Sequence, residues 1–267
     1  VIAAFIPPLP TLGGLVLAAL AAGFVDAVVG GGGLITIPAL LLGLPGLPLT
    51  TILGTNKVVA CTGTTVAAGA FLRSRALSVR EMLGPVAMAM VGASGGVALA
   101  YVLQGRLARQ MEPILFVLLV GMLAFTLLKP GMGKVHAPRF GLAHQRGLAA
   151  FIALAIGFYD GFFGPGTGSL LIFLFVAVLG FDFLRASALA KSVNWASNIA
   201  SMALFLFHGS WLPFVAIAMA LGNGLGGYLG ARTALAKGAG WVRTLFVLVV
   251  VALLIRLGWR VLGTVIR

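Results

Sequence analysis

Four charged residues sit inside apolar sequence, where an ion is costly and seldom idle: Asp26, Lys57, Asp160 and Lys191. Each lysine follows an aspartate by 31 residues. A carboxylate so placed either caps the open N–H groups of a neighbouring half-helix or takes up and releases a proton. An ammonium so placed draws an anion or pairs with an acid. Spacing offers one pair per half, Asp26 with Lys57 and Asp160 with Lys191, and anion binding is compatible with it if the anion competes for the lysine.

Polar neighbours sharpen the chemistry. Lys57 follows Thr55 and Asn56 at the expected start of a helix. Lys191, Asn194 and Asn198 recur at i, i+3 and i+7, on one helical face with Ser197 beside them. A polar face on an apolar helix should look into protein or a cavity. Amide N–H groups there donate to oxygens, and helix amino ends add partial positive charge, a combination that suits a tetrahedral oxyanion.

Such amino ends are expected at two glycine clusters, Gly30–Gly33 and Gly164–Gly168, each starting four residues after an aspartate. Glycine admits backbone angles closed to other residues and Pro165 removes a donor, so both clusters should interrupt a helix. Unpaired backbone in lipid is costly, so breaks persist only against protein or a wet cavity. Close helix packing is the simpler use of glycine in membranes. Two clusters at matched places favour the breaks, and Gly31, Gly32, Gly33, Gly166, Thr167 and Gly168 join the candidate substrate-binding set.

The match extends beyond the clusters. At an offset of 134, nine of the 22 positions from Gly13 to Leu34 are identical, including Gly23/Gly157, Phe24/Phe158 and Asp26/Asp160, and Lys57 falls on Lys191 without a gap. Chance in so biased a composition supplies roughly two identities, so the chain carries an internal duplication. Its expected divisions are a first membrane repeat over 1–130, a basic linker over 131–146 and a second repeat over 147–267.

Composition identifies the solvent. Apolar residues make up 61% of the 267 positions and charged residues 9%, with mean hydropathy +1.14, which implies an all-α polytopic membrane protein. The excess of 18 Lys+Arg over 5 Asp+Glu punctuates apolar runs rather than forming one patch, which fits basic cytoplasmic loops and not nucleic-acid binding. Cys61 is the single cysteine, and His136, His144 and His208 are not spaced as ligands, so neither metal nor cofactor is expected. The stretch VIAAFIPPLP lacks a basic n-region and does not read as a cleavable signal peptide. Trp195, Trp211, Trp241 and Trp259 are expected mostly near span ends.

Windows near 56–72, 83–104, 111–128, 190–207, 211–230 and 241–262 are apolar enough to cross a bilayer, three per half. The stretches 11–48 and 147–182 are too long for one helix and hold the breaks. Arg73, Arg75 and Arg80 orient the loop after the first repeat's second element toward the cytoplasm. Its counterpart at His208–Ser210 has no Lys or Arg and should face away. The linker from Lys129 to Arg146 and the loop with Arg232, Lys237 and Arg243 should also be cytoplasmic. The halves would then be inverted, although Arg106, Arg109, Arg260 and Arg267 run against this scheme.

At these residues the chain resembles the TauE/SafE sulfite exporter family, also called the 4-toluene sulfonate uptake permease family. The resemblance rests on GFVDAVVGGGGLITIPALLLGLP and LGTNK in the first half and on GFYDGFFGPGTGSLL and ALAKSVNWASN in the second. It implies a bacterial inner-membrane transporter for sulfite, sulfonates and other small sulfur-containing anions. The glycine breaks, Asn56, Lys57, Lys191, Asn194 and Asn198 would then be site residues. Family members often carry an Asn-Thr-Lys run before the second lysine, where this chain has Leu189, Ala190 and Lys191.

With no Walker A run, a transporter built this way should draw on an ion, proton or substrate gradient. A passive anion channel using the same basic residues is the alternative. The run Gly92-Ala93-Ser94-Gly95 matches the GxSG of intramembrane serine proteases, but only His208, at a span end, could serve as base, so close packing explains it better. Small residues would also permit a homodimer.

Overall fold

The computed structural model describes residues 6–73, 78–103, 120, 123–124, 128 and 136–265. Arg75, Arg106, Arg109, Glu112, Lys129, Arg267 and nearly all of the span expected at 111–128 lie outside them. The described residues build eight helices: α1 (Leu9–Val29), α2 (Gly33–Gly43), α3 (Leu49–Arg73), α4 (Val79–Leu103), α5 (Leu142–Phe162), α6 (Thr167–Ala177), α7 (Phe183–Phe207) and α8 (Pro213–Val265). The duplication is visible in their lengths, since α1 and α5 have 21 residues, α2 and α6 have 11, and α3 and α7 have 25. α8 bends at Gly238, whose φ of 74° is open to glycine, so the spans expected at 211–230 and 241–262 are two arms of one kinked element.

Both long apolar stretches break at their glycines. In the first, Gly30 and Gly31 take φ of 78° and 94°; in the second, Gly164 and Gly166 take 91° and 82°. Pro165 stands where Gly31 does and cannot adopt positive φ, so the second left-handed residue moves one place along. At 1.5 Å per residue, α2 and α6 are each about half a bilayer long.

α1, α4, α5 and the stretch of α8 over Pro213–Val249 are long and apolar enough to cross a membrane. α3 and α7 match them in length but carry polar faces, and they are largely buried inside the protein, which shields those faces from lipid. α1 packs chiefly on α8 and α4 chiefly on α5. A methyl group at Gly226 would overlap the Leu20 carbonyl, and one at Gly230 the Phe24 carbonyl. Gly92 and Gly96 stand in the same relation to Leu154 and Phe158, each pair displaced by 134. These four contacts are reciprocal: a glycine of each half meets a carbonyl of the other.

These glycines let backbones meet within the chain. That is the use of the Gly92–Gly95 run, where Ser94 Oγ donates to the Met90 carbonyl at 2.9 Å. His208 caps the end of α7 and stacks on Tyr101 with centroids 4.3 Å apart. One tryptophan lies away from a helix end. Trp195 lies mid-helix in α7, where its indole N–H donates to Thr65 Oγ1 at 3.0 Å, an internal partner that replaces the headgroup.

Candidate functional site

The two breaks meet each other. Gly30 lies so close to Gly168 that a side chain on either would overlap the other's backbone. Carbonyls left open at the end of α1 find donors in the other half: Ser169 Oγ reaches Val29 O at 3.0 Å and Ser187 Oγ reaches Val28 O at 3.4 Å. Tyr159 Oη donates to Pro165 O at 2.5 Å and fixes the second break from inside.

Each aspartate ends the helix before its break and touches the helix after it. Asp26 Oδ1 accepts from the Gly32 N–H at 3.1 Å, and Asp160 Oδ1 accepts from Thr167 Oγ1 at 2.9 Å. Both carboxylates therefore stand at half-helix amino ends, where the backbone favours negative charge.

The lysines reach across rather than within. Lys57 Nζ lies 2.8 Å from Asp160 Oδ2, and Lys191 Nζ lies 3.0 Å from Asp26 Oδ2. This corrects the pairing expected inside each half. α3 and α7 lie side by side and the breaks face one another, so each lysine stem leads to the break of the opposite half. Nor do the lysines begin their helices: Lys57 is ninth in α3 and Lys191 ninth in α7, both shielded from water. Ions so buried require such partners.

The two pairs differ in surroundings. Lys57 Nζ also meets Asn198 Oδ1 at 3.2 Å, and Asn198 Nδ2 donates to Asn194 Oδ1 at 3.3 Å. Asp160 Oδ2 accepts from Ser197 Oγ at 2.6 Å. Among the described residues, Lys191 has only Asp26 as a polar partner, and its side chain is 0% exposed.

A cavity of about 20 Å3 opens between the breaks. Gly31, Gly32, Gly33, Gly166, Thr167 and Gly168 line it, as do Asn56, Lys57, Asn194 and Asn198 with Asp26 and Asp160. Two expected residues stand apart. Thr55 Oγ1 donates to Thr51 O at 2.7 Å and accepts from Leu212 N at 3.0 Å, joining α3 to the loop before α8. Lys191 lies behind the wall, held by Asp26.

Gly164, part of the second break, also lines the cavity, and three lining residues lie outside the expected set: Thr36, Ala60 and Asn223. Thr36 Oγ1 bonds within reach of Asn56 Oδ1 and of Gly32 O. Asn223 is 4% exposed, and its Nδ2 donates to Ala19 O at 2.9 Å. A lone amide inside the apolar run of α8 was the available signal.

Long apolar helices around a buried, charged and amide-lined cavity, with two half-length helices meeting at its wall, define a multi-pass helical membrane protein with an internal polar site. The chain belongs to the sulfite exporter TauE/SafE family, whose model it matches over residues 15–257.

It is 40% identical over 247 residues to "Probable membrane transporter protein ORF9" of Sinorhizobium sp, covering 91% of this chain and 90% of that protein. It is 38% identical over 240 residues to "Probable membrane transporter protein YfcA" of Escherichia coli strain K12, covering 89% and 86%. A "Probable membrane transporter protein" of Haemophilus influenzae shares 37% over 233 residues, covering 85% and 86%. No solved structure matches the chain. Family and relatives together make it a membrane transporter, and these three relatives bear transporter names, not those of enzymes.

Proposed function

We propose that the protein is a secondary transporter of small sulfur-containing oxyanions, such as sulfite, thiosulfate or sulfoacetate, in a bacterial inner membrane. The anion would bind where the halves meet, and the halves, inverted relative to one another, would expose it to each side in turn. The observation that carries this reading is Lys57: a buried ammonium on the wall of a cavity, beside amides and two half-helix amino ends. Family membership supports the sulfur class, and the reciprocal contacts support a two-fold relation between the halves.

Size supports alternating access. A cavity of about 20 Å3 admits one water-sized sphere, so even sulfite enters only if the breaks move apart. An anion on Lys57 competes with Asp160 for the ammonium, so binding and release of the anion exchange with the ion pair.

The test is uptake and counterflow of sulfite, thiosulfate, sulfoacetate, taurine, sulfate and nitrite in proteoliposomes, with and without a pH gradient. Lys57→Ala/Asp160→Asn, which removes the charge pair together and so leaves no orphan ion, should abolish saturable uptake of the preferred anion. Undiminished uptake in that variant refutes the site. Resolvable single-channel current would replace the carrier with a channel.

A further inference from the structure

Applied residue by residue, the offset of 134 separates the cavity wall into two sets. Asp26, Lys57 and Gly32 recur as Asp160, Lys191 and Gly166, but the amides do not. Asn56, Asn194, Asn198 and Asn223 correspond to Ala190, Ala60, Thr64 and Ala89, and Thr36 corresponds to Leu170. The repeated set holds the breaks and the ion pairs, tasks common to both halves.

Asn223 is the most telling of the unrepeated residues. Its backbone carbonyl closes against Gly23 of α1 as the Ala89 carbonyl closes against Gly157 of α5. An alanine therefore suffices for this helix contact, and the amide of Asn223 is an addition to it. The Ala19 carbonyl accepts from Nδ2, which fixes the amide's orientation and leaves its second N–H and its Oδ1 available.

The side chain lies over Gly63, where a methyl group would overlap Oδ1. The counterpart of Gly63 is Ser197, whose hydroxyl serves Asp160. Both polar groups at this level come from the second half: Ser197 of α7 beside one ion pair, and Asn223 of α8 across the bare Gly63 of α3.

Resting on the anion-transport reading, we propose that Asn223 is a specificity-determining residue, whose amide binds the transported oxyanion at the end of the cavity opposite Ser197. An anion with unlike ends suits this site better than one with four equivalent oxygens. Gly63 keeps the place clear for the amide.

The test is equilibrium binding of the same six anions to purified parent, Asn223→Ala, Gly63→Ala and Lys57→Ala/Asp160→Asn proteins, with thermal unfolding of each. A charge-assisted hydrogen bond sets the scale, about 10-fold or more in Kd. Asn223→Ala should weaken the preferred anion by that factor, bring the six affinities closer together and unfold near the parent temperature. Gly63→Ala should do the same by displacing the amide.

Binding in Asn223→Ala with the parent's affinities and order overturns the inference alone, provided the parent binds and the charge-pair variant does not. Failure of Asn223→Ala to fold also overturns it, because the amide would then serve the helix contact. A parent that binds none of the anions overturns the transport reading and this inference with it.

Discussion

The pairing across halves yields a decisive prediction for Asp26 and Lys191. Lys191 is wholly buried and, among the described residues, has one anionic partner, at 3.0 Å. Asp26→Asn preserves the side chain's shape and its acceptor toward Gly32 but leaves an ammonium uncompensated. Breaking a buried pair from one side costs about 3–5 kcal/mol. At about 2–4 °C per kcal/mol for a chain of this size, Tm should fall by roughly 6–20 °C.

Lys191→Met removes the orphan cation and keeps the volume, so Asp26→Asn/Lys191→Met should recover most of that loss. The assay is thermal unfolding in detergent of the parent, both single variants and the double variant, with a second cycle on Asp26→Asn and Lys57→Met. Coupling should be large in the first cycle and smaller in the second. Additive effects for Asp26 and Lys191, or stronger coupling of Asp26 to Lys57, would refute the crossed arrangement.

The reciprocal glycine contacts predict matched costs. Gly92→Ala and Gly226→Ala should each lower stability by about 1–3 kcal/mol through overpacking, with Tm shifts of similar size; a large loss at one and none at the other would show that the two contacts are not equivalent. Ser94→Ala removes a hydroxyl that, among the described residues, bonds to its own helix alone, so stability should stay within about 0.5 kcal/mol and transport should be unchanged. Loss of activity in a well-folded Ser94→Ala protein would reopen a nucleophilic role.

Much of the frame was legible in the chain. Apolar content implied a helical membrane protein, and the glycine clusters marked both breaks within a residue or two, because glycine conformation and apolar run length are local properties. Partner choice was not local. Equal spacing from Asp26 to Lys57 and from Asp160 to Lys191 suggested pairs within each half, and only the packing of α3 beside α7 reveals the exchange. Thr55 looked equivalent to Asn56 next to it, yet a turn of about 100° between neighbours sends its hydroxyl to Leu212 instead of the cavity. Asn223 escaped because it lies outside every motif, 32 residues beyond Lys191.

The crossed ion pairs also govern how the chain can be assembled. Lys191 and Asp26 are 165 residues apart, so the first pair partner enters the membrane long before the second has been synthesised. The amino-terminal half therefore waits with an acid and a base unmatched, and its α1 and α4 surfaces without their α8 and α5 neighbours. Biogenesis must hold that half open until the other arrives, and neither half expressed alone contains the contacts that would let it close.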